Sequence, residues 1–199
     1  MDNKFKGKSF YHKVEWRKMK IYYVRHGQTD WNVERKLQGR TDIELNEIGK
    51  QQAKQAQKEI EKYNIDLILC SPLKRTKQTA QIVSEGKNIE IIYRDELLER
   101  NFGDLEGKQP WKEPLFANNE FYNYTKNIEM KNIETVRELC DRVWGLLDEI
   151  EKTYSDKNVL LVTHGGTSRA ISAYFNGIPE DGIICSAGLE NAQIKEFQK

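Results

Sequence analysis

The sequence predicts an α/β fold: a three-layer sandwich with a mostly parallel central sheet, helices on both faces and a small cap over the strand C-terminal ends. Three observations carry this expectation. Short apolar runs at 21–24, 66–70, 90–93 and 158–163 alternate with helix-length segments, and parallel strands need crossovers of about that length. Two of those runs end directly in a His-Gly turn, at His26-Gly27 and His164-Gly165, where open parallel sheets place their ligand-binding loops. The chain's 199 residues suffice for one domain with a proper core.

Taken in order, residues 1 to 18 follow neither a helical nor an alternating period and form a basic N-terminal extension to a single folded domain at 19–199. Ile21-Tyr22-Tyr23-Val24 is a short buried strand that runs into the turn Arg25-His26-Gly27. A long polar helix fits 46–63, with Ile48, Ala53, Ala56 and Ile60 on its inner face. A second strand at 66–70 leads into Ser71-Pro72, which reads as an N-cap followed by proline at the first helical position. That helix extends to about Glu85, and a third strand covers 90–93.

Residues 101 to 132 are the least regular stretch and hold Gly103, Gly107, Pro110 and Pro114. A helix from about Glu134 to Tyr154 follows, then the buried strand 158–163 and a second His-Gly turn that opens a helix to about Phe175. Gly177 closes that helix and Pro179 prevents its continuation. Residues 191–197 suit a last, edge-like strand.

Composition narrows the function classes. Lysine and arginine number 32 against 31 acidic residues, for a net charge of +1. Residues 1 to 20 hold seven basic and two acidic side chains, which leaves the remainder of the chain at −4. A weakly acidic body offers nucleic acid no general attraction, so no nucleic-acid partner is expected. No apolar run approaches the roughly 20 residues of a membrane span, and no secretory leader is evident, so neither integral membrane association nor export is expected. Cys70, Cys140 and Cys185 are odd in number and lack ligand-like spacing, which fits a reducing, cytoplasmic setting without a disulfide framework or structural zinc. Homodimerisation is left open.

The chemistry is suggested by what surrounds the two turns. Arg25 precedes His26, and Arg75 falls in the first turn of the Ser71-Pro72 helix, where free N–H groups and the dipole already favour an anion. The guanidinium fork matches phosphate oxygens, and Asn32 can add a donor. A histidine nucleophile in such a pocket gives a phosphohistidine. Glu99, between the third strand and the glycine-bearing loop, is the candidate acid and base, with a surface carboxylate as the equally weighted alternative.

Arg25-His26-Gly27-Gln28-Thr29-Asp30-Trp31-Asn32 resembles the RHG signature of the histidine phosphatase, or phosphoglycerate-mutase-like, superfamily. Leu37-Gln38-Gly39-Arg40 with Leu45-Asn46-Glu47-Ile48-Gly49, Ser71 through Ala80, the block around Glu99, and Thr163-His164-Gly165-Gly166 resemble the family's further motifs in order. The resemblance implies His26 as the phosphorylated nucleophile and Glu99 as proton donor and acceptor. It also implies that Arg25, Arg75, Asn32 and His164 hold the phosphoryl oxygens, with Gln38, Gly39 and Gly165 lining the site. It implies catalysis without a metal or other cofactor on a small phosphate monoester, the arginines standing in for a cation.

The family contains hydrolases and mutases. Its cofactor-dependent mutases carry an arginine pair in the insertion after the glutamate block, whereas Trp111 to Lys131 here has no arginine and has Trp111, Phe116, Phe121, Tyr122 and Tyr124 instead. Hydrolysis is therefore expected ahead of exchange, with a phosphoglycerate mutase as the alternative. The aromatics form either a lid selecting bulky esters or, as the favoured expectation, the core of the cap. Residues 131–135, Lys-Asn-Ile-Glu-Thr, stand where the family has P-G-G-E-S, which questions the loop's shape. Two rivals are weaker: a metallohydrolase, disfavoured by Arg25 beside His26, and an inactive phosphate-binding scaffold. Sugar phosphates, phosphoserine, nucleotides and α-ribazole phosphate all stay open as substrates.

Overall fold

A computed structural model describes residues 20–184 and 189–197; the N-terminal extension, His12 and Cys185 lie outside the described residues. Five strands, β1 (Lys20–Arg25), β2 (Leu67–Cys70), β3 (Glu90–Tyr93), β4 (Asn158–Thr163) and β5 (Ile194–Phe197), form one sheet in the order β3-β2-β4-β1-β5. All neighbours are parallel except β1 with β5. The expected mostly parallel sheet, with its last strand on an edge, is the sheet observed.

Strand alternation sorts the core into two layers. Ile21, Tyr23, Leu67, Leu69, Val159 and Leu161 face α5 (Val136–Thr153) and α6 (Gly165–Asn176). Tyr22, Val24, Ile68, Cys70, Leu160 and Val162 face α2 (Glu47–Ile60) and α3 (Lys74–Ser84). The chain leaves β1 towards the α2 face and leaves β4 towards the α6 face, although β1 and β4 are neighbours. Their C-terminal ends therefore form a topological switch point, the crevice of a doubly wound sheet. Among the described residues no helix is long and apolar enough to cross a membrane.

Several local expectations need correction. Helix α2 buries Gly49, Ala53, Ala56 and Ile60, while Ile48 is exposed. The buried stripe runs through the glycine because the helix start lies against the loop after β1, with Asn46 capping it through Gly49 N–H. Ser71 is not an N-cap: α3 starts at Lys74 after Leu73, whose side chain caps nothing. The hydroxyl of Thr76 donates to the carbonyls of Ser71 and Leu73 instead, which frees the Ser71 side chain for the site. Helix α5 starts two residues later than expected because Thr135 and Glu138 form a reciprocal capping box. A short helix α1 (Asp30–Val33), capped by Thr29, follows the first His-Gly turn.

The irregular stretch after Glu99 builds the cap from 3-10 turns and the short helix α4 (Pro114–Ala117). Phe116, Phe121 and Tyr122 are buried in the same cluster as α5 and α6, and Phe116 and Phe121 lie 4.3 Å apart between ring centroids. Phe116, Phe121 and Tyr122 thus pack as core and Tyr124 packs against it half-buried, whereas Trp111 is exposed. Asn132 takes φ +62° where the related motif has glycine, a conformation that asparagine tolerates better than most side chains, so the loop keeps its turn.

The loop after β1 and the start of α2 meet backbone to backbone. A Cβ on Gly49 would stand 2.0 Å from the Gln28 carbonyl oxygen, and one on Gly27 would stand 2.3 Å from that of Gly49. Helix propensity alone makes Gly49→Ala stabilising by about 1 kcal/mol. Overpacking typically costs about 1–3 kcal/mol and here meets rigid backbone, so Gly49→Ala is expected to lower the urea midpoint; a raised midpoint would contradict this close approach.

Candidate active site

Adjacent strand ends bring the two histidine turns together. Arg25 pairs in register with Thr163, and His26 N–H donates to the Thr163 carbonyl at 2.9 Å. The His26 and His164 rings are consequently 5.2 Å apart between centroids, and both are buried.

The hydrogen bonds fix both tautomers. Nδ1 of His26 lies 2.7 Å from the Gly27 carbonyl oxygen, which can only accept, so Nδ1 carries the proton and Nε2 presents its lone pair. His164 has the opposite arrangement. Nε of Arg75 donates to its Nδ1 at 3.1 Å, so its Nε2–H donates to Ser71 Oγ at 2.8 Å. Burial first, and then the charge of Arg75, hold both imidazoles well below their usual pKa. Arg25 lowers that of His26 further. Both rings are neutral at pH 7.

Arg75 is fully buried. Its NH1 donates to the Thr41 carbonyl at 2.9 Å and its NH2 to the Gly39 carbonyl at 2.7 Å. Burial lowers its pKa to about 10, which leaves it cationic. Arg25 donates through NH1 to the Leu189 carbonyl at 2.8 Å, while its buried Nε has no partner among the described residues. Neither guanidinium has a carboxylate within ion-pair distance among the described residues. A buried cation, Arg75, and a half-buried one, Arg25, thus stand beside two neutral histidines, with Glu99 as the foremost negative charge acting on both guanidiniums.

Glu99 is brought to the same place from the other side. Its Oε2 accepts from Gly166 N–H at 3.0 Å, and its Oε1 from Arg100 and Thr167 N–H at 2.8 and 3.2 Å. The carboxylate thereby occupies the first turn of α6, a favourable place for an anion. A Cβ on Gly166 would stand 2.4 Å from Glu99 Oε1, so this approach requires glycine. Arg142, paired with Glu134 at 2.6 Å, also donates to the Glu99 carbonyl.

The remaining expected residues take other positions. The Oδ1 of Asn32 accepts from Thr29 N–H and Oγ1–H, and its amide nitrogen has no partner among the described residues. Gln38 is buried and its Oε1 has no partner among the described residues. Gly39 adopts φ +52° and contributes its carbonyl to Arg75. Gly165, buried at the start of α6, lies beside the Arg25 guanidinium. Among the described residues no group of three or more His, Cys, Asp and Glu side chains is placed to hold a metal ion.

Sequence reasoning missed the residues that hold these groups. Glu106 accepts from Arg40 and Thr41 N–H at 2.9 Å each and from the Thr41 hydroxyl at 2.5 Å. It thereby fixes the loop whose carbonyls grip Arg75. Thr79 Oγ1 accepts from Gly27 N–H and donates to the Arg75 carbonyl, tying the nucleophile turn to α3. Both lie inside the quoted motifs, yet their residue types alone carry no such signal.

A doubly wound α/β protein with a cationic, histidine-centred pocket at its switch point is the class that fold and site define. The histidine phosphatase superfamily (branch 1) model matches residues 21–198, and the chain belongs to that family. It is 40% identical over 178 residues to the uncharacterized phosphatase PhoE of Bacillus subtilis, across 89% of this chain and 87% of that protein. It is 31% identical to phosphoserine phosphatase 1 of Hydrogenobacter thermophilus, across 87% of this chain and 83% of that protein. The solved structure of Bacillus stearothermophilus YhfR superposes with a TM-score of 0.81 at 28% identity, over 90% of this chain and 91% of that one.

The buried neutral histidines have a consequence for stability. Their folded pKa values lie below the free value of 6.5, so below pH 6.5 the unfolded chain binds more protons than the folded one. Stability is therefore full above that pH and declines as pH falls, by up to about 1.4 kcal/mol per pH unit for each histidine. Urea unfolding at pH 7 and pH 5 is expected to show this loss, and the double variant His26→Asn, His164→Asn to flatten it. An unchanged slope in the variant would contradict the neutral pair.

Proposed function

We propose that the chain is a phosphomonoester hydrolase that works through a phosphohistidine on His26. The observation that carries this reading is the neutral His26, whose Nδ1 carries the proton and whose Nε2 has no hydrogen-bond partner among the described residues, beside two guanidiniums that have no carboxylate within ion-pair distance among those residues. A phosphate dianion adds negative charge beside Arg25 and Arg75, and the amide of Asn32 adds a donor. His164 acts in this scheme mainly through Arg75, whose Nε it accepts.

In the first step Glu99, which takes up a proton from solvent as the phosphate dianion enters beside it, gives that proton to the departing alkoxide while Nε2 of His26 attacks phosphorus and the bond to the ester oxygen breaks. In the second, water attacks the phosphohistidine while Glu99 takes a proton from it, and phosphate leaves with His26 restored. The guanidiniums neutralise the charge on the transferred group through both steps and stand in place of a metal. Two supports favour hydrolysis over phosphoryl exchange. Residues 111–131 contain no arginine, and the relatives from B. subtilis and H. thermophilus are named as phosphatases.

Acid quench during turnover of p-nitrophenyl phosphate is expected to trap phosphate on His26. Glu99→Gln is expected to slow an alkyl phosphate at least about tenfold more than an aryl one, because aryl leaving groups need less protonation. Equal slowing would count against Glu99 as the acid. The mutase alternative is read in parallel with 3-phosphoglycerate and 2,3-bisphosphoglycerate, where release of inorganic phosphate without 2-phosphoglycerate is expected.

A further inference from the structure

The segment 131–135 departs from the related motif at its glycines but keeps the glutamate, a side chain to which the mechanism above gives no part. Oε1 of Glu134 accepts from Arg142 Nε at 2.6 Å, and its Oε2 accepts from Arg142 NH2 and from Asn101 N–H at 3.0 Å each. The Glu134 backbone is engaged as well. Its N–H donates to the Asn101 carbonyl at 3.0 Å, and its carbonyl accepts from Arg100 Nε at 2.6 Å. Arg142 in turn donates to the Glu96 carbonyl at 2.7 Å and to that of Glu99 at 3.3 Å. The chain on both sides of Glu99 is therefore fastened to one glutamate.

We propose that Glu134 is a positioning residue for the proton transfer, setting through Arg142 and Asn101 where the backbone of Glu99 stands at the pocket. The carboxylate end of Glu99 is held by Gly166 and Thr167 N–H on α6. Those bonds aim its oxygens only while the main chain behind them is fixed, because proton transfer needs the acid within hydrogen-bond reach of the leaving oxygen. A guanidinium paired with a carboxylate constrains direction as well as distance. The Arg142 and Glu134 side chains are only 18% and 10% exposed, so salt and water screen the contact little. The loop is also seated tightly: a Cβ on Gly103, in the segment that follows Glu99, would stand 2.3 Å from the Asn132 carbonyl oxygen. The contact of Glu134 with Arg40 is longer, 3.6 Å, and the Arg40 side chain is 41% exposed. The loop that grips Arg75 therefore rests on Glu106 rather than on Glu134, and loss of Glu134 falls on the acid before it falls on the phosphate clamp.

This inference rests on the reading of Glu99 as the acid, which Glu99→Gln checks separately. The test measures kcat/KM for glycerol 3-phosphate, whose alkoxide needs a proton, and for p-nitrophenyl phosphate, whose phenolate needs little. Glu134→Gln is expected to lower the ratio of the first to the second at least about tenfold, as misplacement of a reacting group entails. In the Glu99→Gln background the same substitution is expected to leave the ratio where Glu99→Gln alone puts it, because no proton remains to be placed. A glutamate that only stabilises the fold would slow both esters alike. The proposal is overturned if Glu134→Gln, with the circular dichroism of the wild type, does so, or if the two substitutions multiply in the double variant. Arg142→Lys breaks the paired contact from the other side and is expected to shift the ratio in the same direction; it carries the test if Glu134→Gln does not fold, and equal slowing there overturns the proposal too. If Glu99→Gln itself slows both esters alike, the acid assignment falls and this proposal with it. A Glu99→Gln that discriminates beside a Glu134→Gln that does not removes the proposal alone.

Discussion

The buried guanidinium of Arg75 is the constraint on which the site depends. It is fully enclosed, lacks a carboxylate partner among the described residues, and spends three donors on His164 and on the carbonyls of Gly39 and Thr41. A charge removed from water is tolerated only when hydrogen-bonded and at least partly compensated. The fold meets the first condition with carbonyls and the second in part, through the charges of Glu99, Asp42 and Glu106. After burial itself, the same charge is the next influence holding both histidines neutral, and through its Nε the side chain sets the tautomer of His164. One side chain thus links the sheet's two ligand-binding turns with the loop at 39–41.

Its position follows from backbone geometry. Strands β1 and β4 are adjacent and in register, yet their chains depart to opposite faces, which opens the crevice where His26 and His164 meet. Glycines then bring the walls inward. Gly27 and Gly49 let the nucleophile turn rest on the start of α2, and Gly166 lets the Glu99 carboxylate sit on the first turn of α6. Each of these approaches is closed to any residue with a Cβ. Glu106 and Thr79 complete the frame, the first by fixing the carbonyls that hold Arg75 and the second by tying α3 to the Gly27 amide.

Most of the fold was legible because hydrophobic period and turn residues are local signals. All five strands, the four long helices and the Gly177 stop follow from them, and so does the convergence of His26 and His164. Errors came where tertiary contact overrode a local rule. Ser71 reads as a cap by type but serves His164, and Ile48 fits the inner face of α2 yet is exposed because Gly49 faces the neighbouring loop. The partners of Arg75 were not legible, since backbone carbonyls leave no trace in a motif.

The central claim is that cationic burial keeps His26 neutral with the proton on Nδ1, so that Nε2 is a ready nucleophile. Nitrogen-15 NMR of the histidine side chains, followed from pH 8 to pH 5, tests it most directly. The account predicts that His26 stays a neutral Nδ1–H tautomer over this range and that His164 stays a neutral Nε2–H tautomer. A His26 that titrates near pH 6.5, or that carries its proton on Nε2, would contradict it.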